Sequence, residues 1–298
     1  MKKKVVGIGE VLWDILPGRT CLGGAPSNFA YITMLLGDEG VVASRIGDDT
    51  RGVEALRRMD ELGINTETLQ IDREHATGTV HVEVDDKGMP RYEFACPVAW
   101  DFLELTPAWQ HLAATADAVC FGSLAQRSET SRATIQQFLW SAARAVKIFD
   151  VNLRQSYYSQ DILAESMKLA DIVKLNDEEL PKVMALSGLP HQDERSSAQR
   201  LMDAYDLTLV CVTRGARGSL LLKNDEVSEH GGFRVKVADT VGSGDAFAAG
   251  LVHEYLRGSS LDQMNEVANS AGAWVASEVG AMPIPKHGSI ENSLAEIR

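Results

Sequence analysis

The sequence predicts an α/β fold in which a mostly parallel sheet is covered by helices and carries a small β lid. Three observations lead there. Apolar, β-rich runs (KKVVGIGEV, DAVCFG, VKIFDVN, DIVKLN and LTLVCVT) alternate with longer segments of helical periodicity. Strands buried on both faces read as continuous apolar runs of this kind, which suits a parallel sheet under helices. Two segments, Val11 to Gly24 and Thr77 to Phe94, break the alternation. Finally, 298 residues with 45% hydrophobic content suffice for one large core plus a small appendage.

In chain order, KKVVGIGEV supplies the first strand and Val11 to Gly24 the first lid segment. Gly23-Gly-Ala-Pro-Ser-Asn-Phe-Ala30 then leads into an apolar helix through Leu36. Helical periodicity is expected from Thr50 to Leu62 and from Ser128 to Val146. Between them TVHVEVD alternates apolar and polar residues before the turn residues Asp85, Asp86, Lys87 and Gly88, as a hairpin would. The lid segments are therefore set at about 11–24 and 77–100. No fixed repeat or low-complexity linker divides the chain, so residues 1–298 are expected to form one domain.

The formal net charge is −13, and the basic residues are scattered apart from Lys2, Lys3 and Lys4. Nucleic acid and anionic membranes are thus unexpected partners. An anionic ligand must be held by local devices: helix N-termini, a few basic side chains or a metal ion. Cys21, Cys96, Cys120 and Cys211 are widely spaced, without zinc-finger or CxxC spacing, and read as reduced and mostly buried. Gly7, Gly9 and Glu10 interrupt the N-terminal apolar stretch before a signal-peptide core forms, and no run of eighteen apolar residues follows. A cytoplasmic protein is expected.

Asp239-Thr-Val-Gly-Ser-Gly-Asp-Ala-Phe247 is a glycine loop leading into an apolar helix, Ala246 to Leu256. Free N–H groups at a helix start, with the positive end of its dipole, make a phosphate site. Asp245 beside such a site repels the anion, so it either caps the helix or takes a proton from an attacking hydroxyl. The loop lacks the GxxxxGK[ST] pattern of a P-loop. The Gly23–Ala30 cluster reads in two ways as well. One is a helix start with Pro26 early and Ser27 or Asn28 as cap. The other is a polyol clamp, in which the glycines admit a sugar to the backbone, Asn28 donates and accepts, and Asp14 adds a bidentate acceptor.

Together these stretches resemble the ribokinase/PfkB family of carbohydrate kinases, whose two signature regions match GGAPSNFA and DTVGSGDAF. FDVNLR at 149–154 is similar to the fructokinase FDxNLR segment, and KLNDEEL at 174–180 to the family's NxxE motif. Singly, NDEEL is an ordinary capped helix start and the RGARG of VTRGARG a glycine turn between strands. Jointly, five such accidents would have to fall in one kinase order.

The resemblance implies a ribokinase-like three-layer sandwich and transfer of the γ-phosphate of ATP to a small sugar. It implies Asp245 as general base, with the amides of Gly242, Ser243 and Gly244 as anion hole. Asp14, Gly23, Gly24 and Asn28 would hold the sugar, and Arg154 would face phosphate or substrate. Asn176 and Glu179 would organise magnesium through water. Thr213, Gly215 and Gly218 would border the nucleotide, with Asn269 near its base. Family members often bind potassium beside the anion hole, where Asp239, Val241 and Gly280 to Ile284 stand here; Ile284 brings no side-chain oxygen. Val241, Ser243 and Val151 depart from the family's usual threonine, alanine and proline without removing a required chemical group.

NLR after FD, with Trp100-Asp101, points to fructose or a related ketose. A sugar-acid kinase of the 2-keto-3-deoxygluconate type and a nucleoside kinase stay open, with Arg91, Trp13 and Trp100 shaping the choice. A non-catalytic sugar-binding regulator would show a lost base or anion loop, and Asp245, Gly242 and Gly244 are all present. A dinucleotide oxidoreductase rests on Gly7 and Gly9 alone, since Leu12 replaces the third glycine. Exposed lid edges make a homodimer joined through the lids an expectation.

Overall fold

The computed structural model describes residues 2–84, 90–286 and 289–298, and of residues 82–84 and 90–92 the backbone alone. Its strands are β1 (Lys4–Ile8), β2 (Leu12–Leu16), β3 (Arg19–Gly23), β4 (Glu39–Ala43), β5 (Arg45–Gly47), β6 (Gln70–Asp72), β7 (Gly78–Val84), β8 (Pro90–Phe94), β9 (Ala118–Gly122), β10 (Val146–Asp150), β11 (Ile172–Asn176), β12 (Leu209–Thr213), β13 (Ser219–Lys223) and β14 (Glu226–His230). The helices are α1 (Ala25–Leu35), α2 (Thr50–Glu61), α3 (Pro107–Thr115), α4 (Glu129–Ser141), α5 (Gln160–Leu169), α6 (Leu180–Leu186), α7 (Glu194–Tyr205), α8 (Ser243–Tyr255), α9 (Leu261–Ser277) and α10 (Ile290–Ile297).

An eight-stranded sheet runs in the order β14-β13-β12-β11-β10-β9-β1-β4. From β4 to β12 the pairs are parallel; β13 and β14 extend the sheet antiparallel. Side chains alternate across the strands, so each apolar run feeds two cores. Val6, Ile8, Phe121, Phe149 and Leu175 pack with residues of α3 to α7, among them Trp109, Phe138 and Leu201. Val5, Cys120, Ile148 and Leu221 pack with α1, α8, α9 and α10 through Phe29, Leu251, Trp274 and Ile290. The result is the three-layer sandwich, each buried Phe or Leu contributing about 1.5–3 kcal/mol. Parallel strands place their C-terminal ends on one edge, where α/β sheets bind ligands; Glu10, Asp150, Asn176 and Thr213 all stand there.

The two segments that break the alternation form a second, four-stranded sheet in the order β3-β2-β7-β8. β2 pairs in parallel with β7, and the flanking pairs are antiparallel. Asp85, Asp86, Lys87 and Gly88 lie outside the described residues. Two anchors join this sheet to the body. Asp49 caps α2 through Gly52 N at 2.7 Å and accepts from Thr77 N and Oγ1 at 2.8 Å. Arg127 donates twice to Asp101 at 2.8 Å and once to Ala95 O at 2.7 Å, its guanidinium 3.9 Å from the Trp100 ring centre.

Some boundaries differ from expectation. The segment expected as helix to Val146 ends at Ser141, because Val146 already pairs with Ala118 as the start of β10. The segment expected to be helical from Ala246 starts at Ser243, after Gly242 turns the chain with φ 77°. Cys120 and Cys211 are buried, but Cys96 is exposed. Among the described residues no helix is long and apolar enough to cross a membrane.

Candidate active site

Gly242 adopts a left-handed conformation, and a Cβ there would collide with Ala281. Only glycine lets this turn open α8 with its first amides exposed. Among the described residues the amides of Gly242, Gly244 and Asp245 have no intramolecular acceptor, whereas Ser243 N donates to Thr240 O at 3.3 Å. Asp245 does not cap the helix: its Oδ2 accepts from Asn28 Nδ2 at 2.8 Å. Burial and the charge of Asp150 push the Asp245 carboxyl up to about 6, against the pull of Asn28, Lys174 and Arg154.

Neither Ser27 nor Asn28 caps α1. Gly24 is its N-cap at φ 107°, and a Cβ there would collide with the Glu10 carbonyl. Ser27 Oγ turns back to Gly23 O at 3.0 Å, which leaves Asn28 facing Asp245. The Asn28 Oδ1 is buried without a partner, an acceptor aimed where a ligand hydroxyl would satisfy it.

A cavity of about 500 Å³ lies here, lined by Asp14, Gly24, Asn28, Arg154, Val241, Gly242, Gly244 and Asp245 among others. A second, of about 390 Å³, is lined by Thr213, Gly215, Gly218, Ser243 and Asn269 with the apolar Phe233, Val235, Val237 and Phe247. The two share Thr240 and Gly244 in their walls. The structure thus gathers most of the candidate residues around two adjoining chambers.

Some candidates stand apart. Gly23 lines neither chamber; a Cβ there would press on the Asp14 carboxylate at 2.6 Å. Asn176 and Glu179 also line neither. Glu179 accepts from Leu153 N at 2.7 Å and Asn176 N at 2.9 Å, while Asn176 Oδ1 receives the amides of Glu178 and Glu179. Asn269 donates to Ser219 Oγ and Asn265 O, both at 2.8 Å, so its amide nitrogen is held within the protein. Asp239, Val241 and Gly280 border a small pocket of about 60 Å³, where Arg19 donates to Asp239 at 2.8 Å. Trp13 donates to Arg51 O at 3.0 Å, Trp100 packs under Arg127, and neither lines the larger chamber. The Arg91 side chain lies outside the described residues.

Sequence reasoning passed over Glu10, Asp150 and Lys174, which all line the larger chamber. Lys174 Nζ donates to both Asp150 oxygens, at 2.8 and 2.9 Å. Burial alone would lower its pKa, but Asp150 more than offsets this and holds Lys174 above its ordinary range. Burial pushes the Glu10 carboxyl up to about 7, with the nearby charge of Asp245 adding to it. The available signal was a charged residue inside or just after an apolar strand run, which needs a partner or a ligand.

A match to the pfkB family of carbohydrate kinases spans residues 19–287. The chain belongs to that family. Among relatives of this pfkB kinase, a fructokinase of Escherichia coli is 32% identical over 301 residues, covering 95% of this chain and 96% of its own. An uncharacterized sugar kinase of Pyrococcus horikoshii, solved with ATP, superposes with a TM-score of 0.84 at 26% identity, over 99% of this chain and 100% of that one. A fructokinase of Vibrio cholerae, solved with fructose, ADP and calcium, gives a TM-score of 0.82 at 26% identity over 100% and 99% of the chains. The protein is an ATP-dependent sugar kinase with the ribokinase-like fold.

Proposed function

We propose that this kinase phosphorylates fructose or a closely related ketose, in the cytoplasm. The sugar occupies the larger chamber and ATP the apolar one. One observation carries the reading: a half-buried carboxylate, Asp245, stands in the chamber wall directly after Gly244, where the two chambers meet. A sugar hydroxyl there loses its proton to Asp245 as its oxygen bonds the γ-phosphorus and the bond to the β–γ bridging oxygen breaks, releasing ADP. The free amides of Gly242, Gly244 and Asp245 stabilise charge on the transferring oxygens. Asn28 orients Asp245 and offers Oδ1 to the sugar, while Asp14 and Arg154 bind further hydroxyls.

Among the described residues no group of three or more His, Cys, Asp or Glu could hold a metal ion. Magnesium binds largely through phosphates and water. It would arrive on ATP and supply charge neutralisation on the phosphates; Asn176 and Glu179, which the resemblance assigns to its water shell, line neither chamber and hold their oxygens on backbone amides. A potassium ion near Asp239, Val241 and Gly280 would compete with Arg19 for Asp239.

The larger chamber carries four carboxylates, Glu10, Asp14, Asp150 and Asp245, against two cations, Arg154 and Lys174. Such a wall repels a sugar acid and suits a neutral polyol. The fructokinases among the relatives favour a ketohexose over a nucleoside. The test is ADP release measured across ketohexoses, ribose, sugar acids and nucleosides. Fructose should give the highest kcat/KM; preference for a sugar acid or nucleoside would reject the acceptor assignment. Exposed edges of the small sheet make a homodimer through that sheet our further expectation, read by sizing chromatography.

A further inference from the structure

Lys174 is 6% exposed on β11, yet it lines the larger chamber. A Cβ built on Gly244 would lie 3.4 Å from its Nζ, so the ammonium stands against the glycine that both chambers share. Two of its N–H groups go to Asp150, at 2.8 and 2.9 Å. An ammonium has three, and the third has no protein acceptor among the described residues. Of the two cations lining the chamber, Arg154 is on an exposed stretch after β10 and Lys174 is the buried one.

A surface-exposed ion pair would need no such burial, and a purely structural pair would gain nothing from an open side facing a cavity. We propose that Lys174 is a catalytic residue that donates its third N–H to the γ-phosphoryl group as it crosses Gly244, with Asp150 as the residue that positions it. This rests on the kinase reading above, but not on which sugar is the acceptor. Lys174 adds no covalent step. Its charge neutralises a phosphoryl oxygen while the glycine-loop amides hold the others.

The test uses Lys174→Met and, because that variant leaves Asp150 buried and unpaired, the double variant Asp150→Asn/Lys174→Met. Affinities for AMP-PNP and for ADP are measured by calorimetry with magnesium and no sugar, alongside thermal unfolding and kcat. The double variant should fold with a Tm near that of the wild type. Its affinity for AMP-PNP should fall about tenfold or more relative to ADP, and its kcat roughly 10²-fold. Lys174→Arg should recover part of that loss. Equal weakening of both nucleotides, or a near-normal kcat in the folded double variant, would overturn the proposal. Because AMP-PNP and ADP bind without acceptor, a wrong sugar leaves this readout intact.

Discussion

Asp245 is held in a form that costs the fold and that the proposed mechanism uses. Its pKa is raised from 3.8 to about 6, so the native state binds its proton more tightly than the unfolded chain does. Stability is therefore lost as pH rises from about 4 to about 6, and the penalty is complete above that window. Asp245→Asn should unfold at a higher temperature than the wild type at pH 8, with the gap closing as pH falls towards 4. The same variant should lose about 10²- to 10⁴-fold in kcat while still binding ATP and sugar. In the wild type, kcat/KM should drop below about pH 6, where Asp245 takes up its proton. A flat profile down to pH 4.5 would exclude Asp245 as the base, because a carboxyl that is already protonated cannot take the hydroxyl's proton. At this scale the sequence showed which polar residues were unusual, but not their partners. Asn28 and Asp245 were each legible beside a glycine cluster. Their hydrogen bond was not, since nothing local encodes a contact across 217 positions. Lys174 and Asp150 were hidden by the apolar strands around them.

Among the elements, the central strands were legible because burial on both faces leaves a continuous apolar run, as in LTLVCVT. The small sheet was legible as strands, but its parallel pairing of Leu12 with Gly78 had no signal. Register between distant segments is set by packing and not by a turn. Its attachment depends on Arg127, whose ion pair with Asp101 leaves both side chains only 4% exposed. Breaking a buried pair by removing one partner leaves an uncompensated charge, worth about 3–5 kcal/mol. Arg127→Met should cost that much in urea denaturation, and a loss below about 1 kcal/mol would mean that Asp101 finds water or another partner.

For the molecule as a whole, the question is how a chain of net charge −13 gathers a polyanion such as ATP. The answer lies in local devices: a helix start with free amides and an adjoining cleft of apolar residues. Water must also be kept from the phosphoryl group. Leu12, Val80 and Phe94, from three strands of the small sheet, already line the larger chamber. Closure of that sheet over bound sugar should slow hydrogen exchange in residues 12–23, 78–84 and 90–94 when fructose is added. Unchanged exchange in all three would mean that the sheet is a fixed wall. The pairing of Asn28 with Asp245 also governs when the enzyme can first exist. On the ribosome Asn28 emerges long before Asp245, so on the proposed mechanism no length of nascent chain short of α8 has either its proton acceptor or its seat for the phosphate. Catalytic competence arrives late in translation and all at once, after most of the parallel sheet has had time to form.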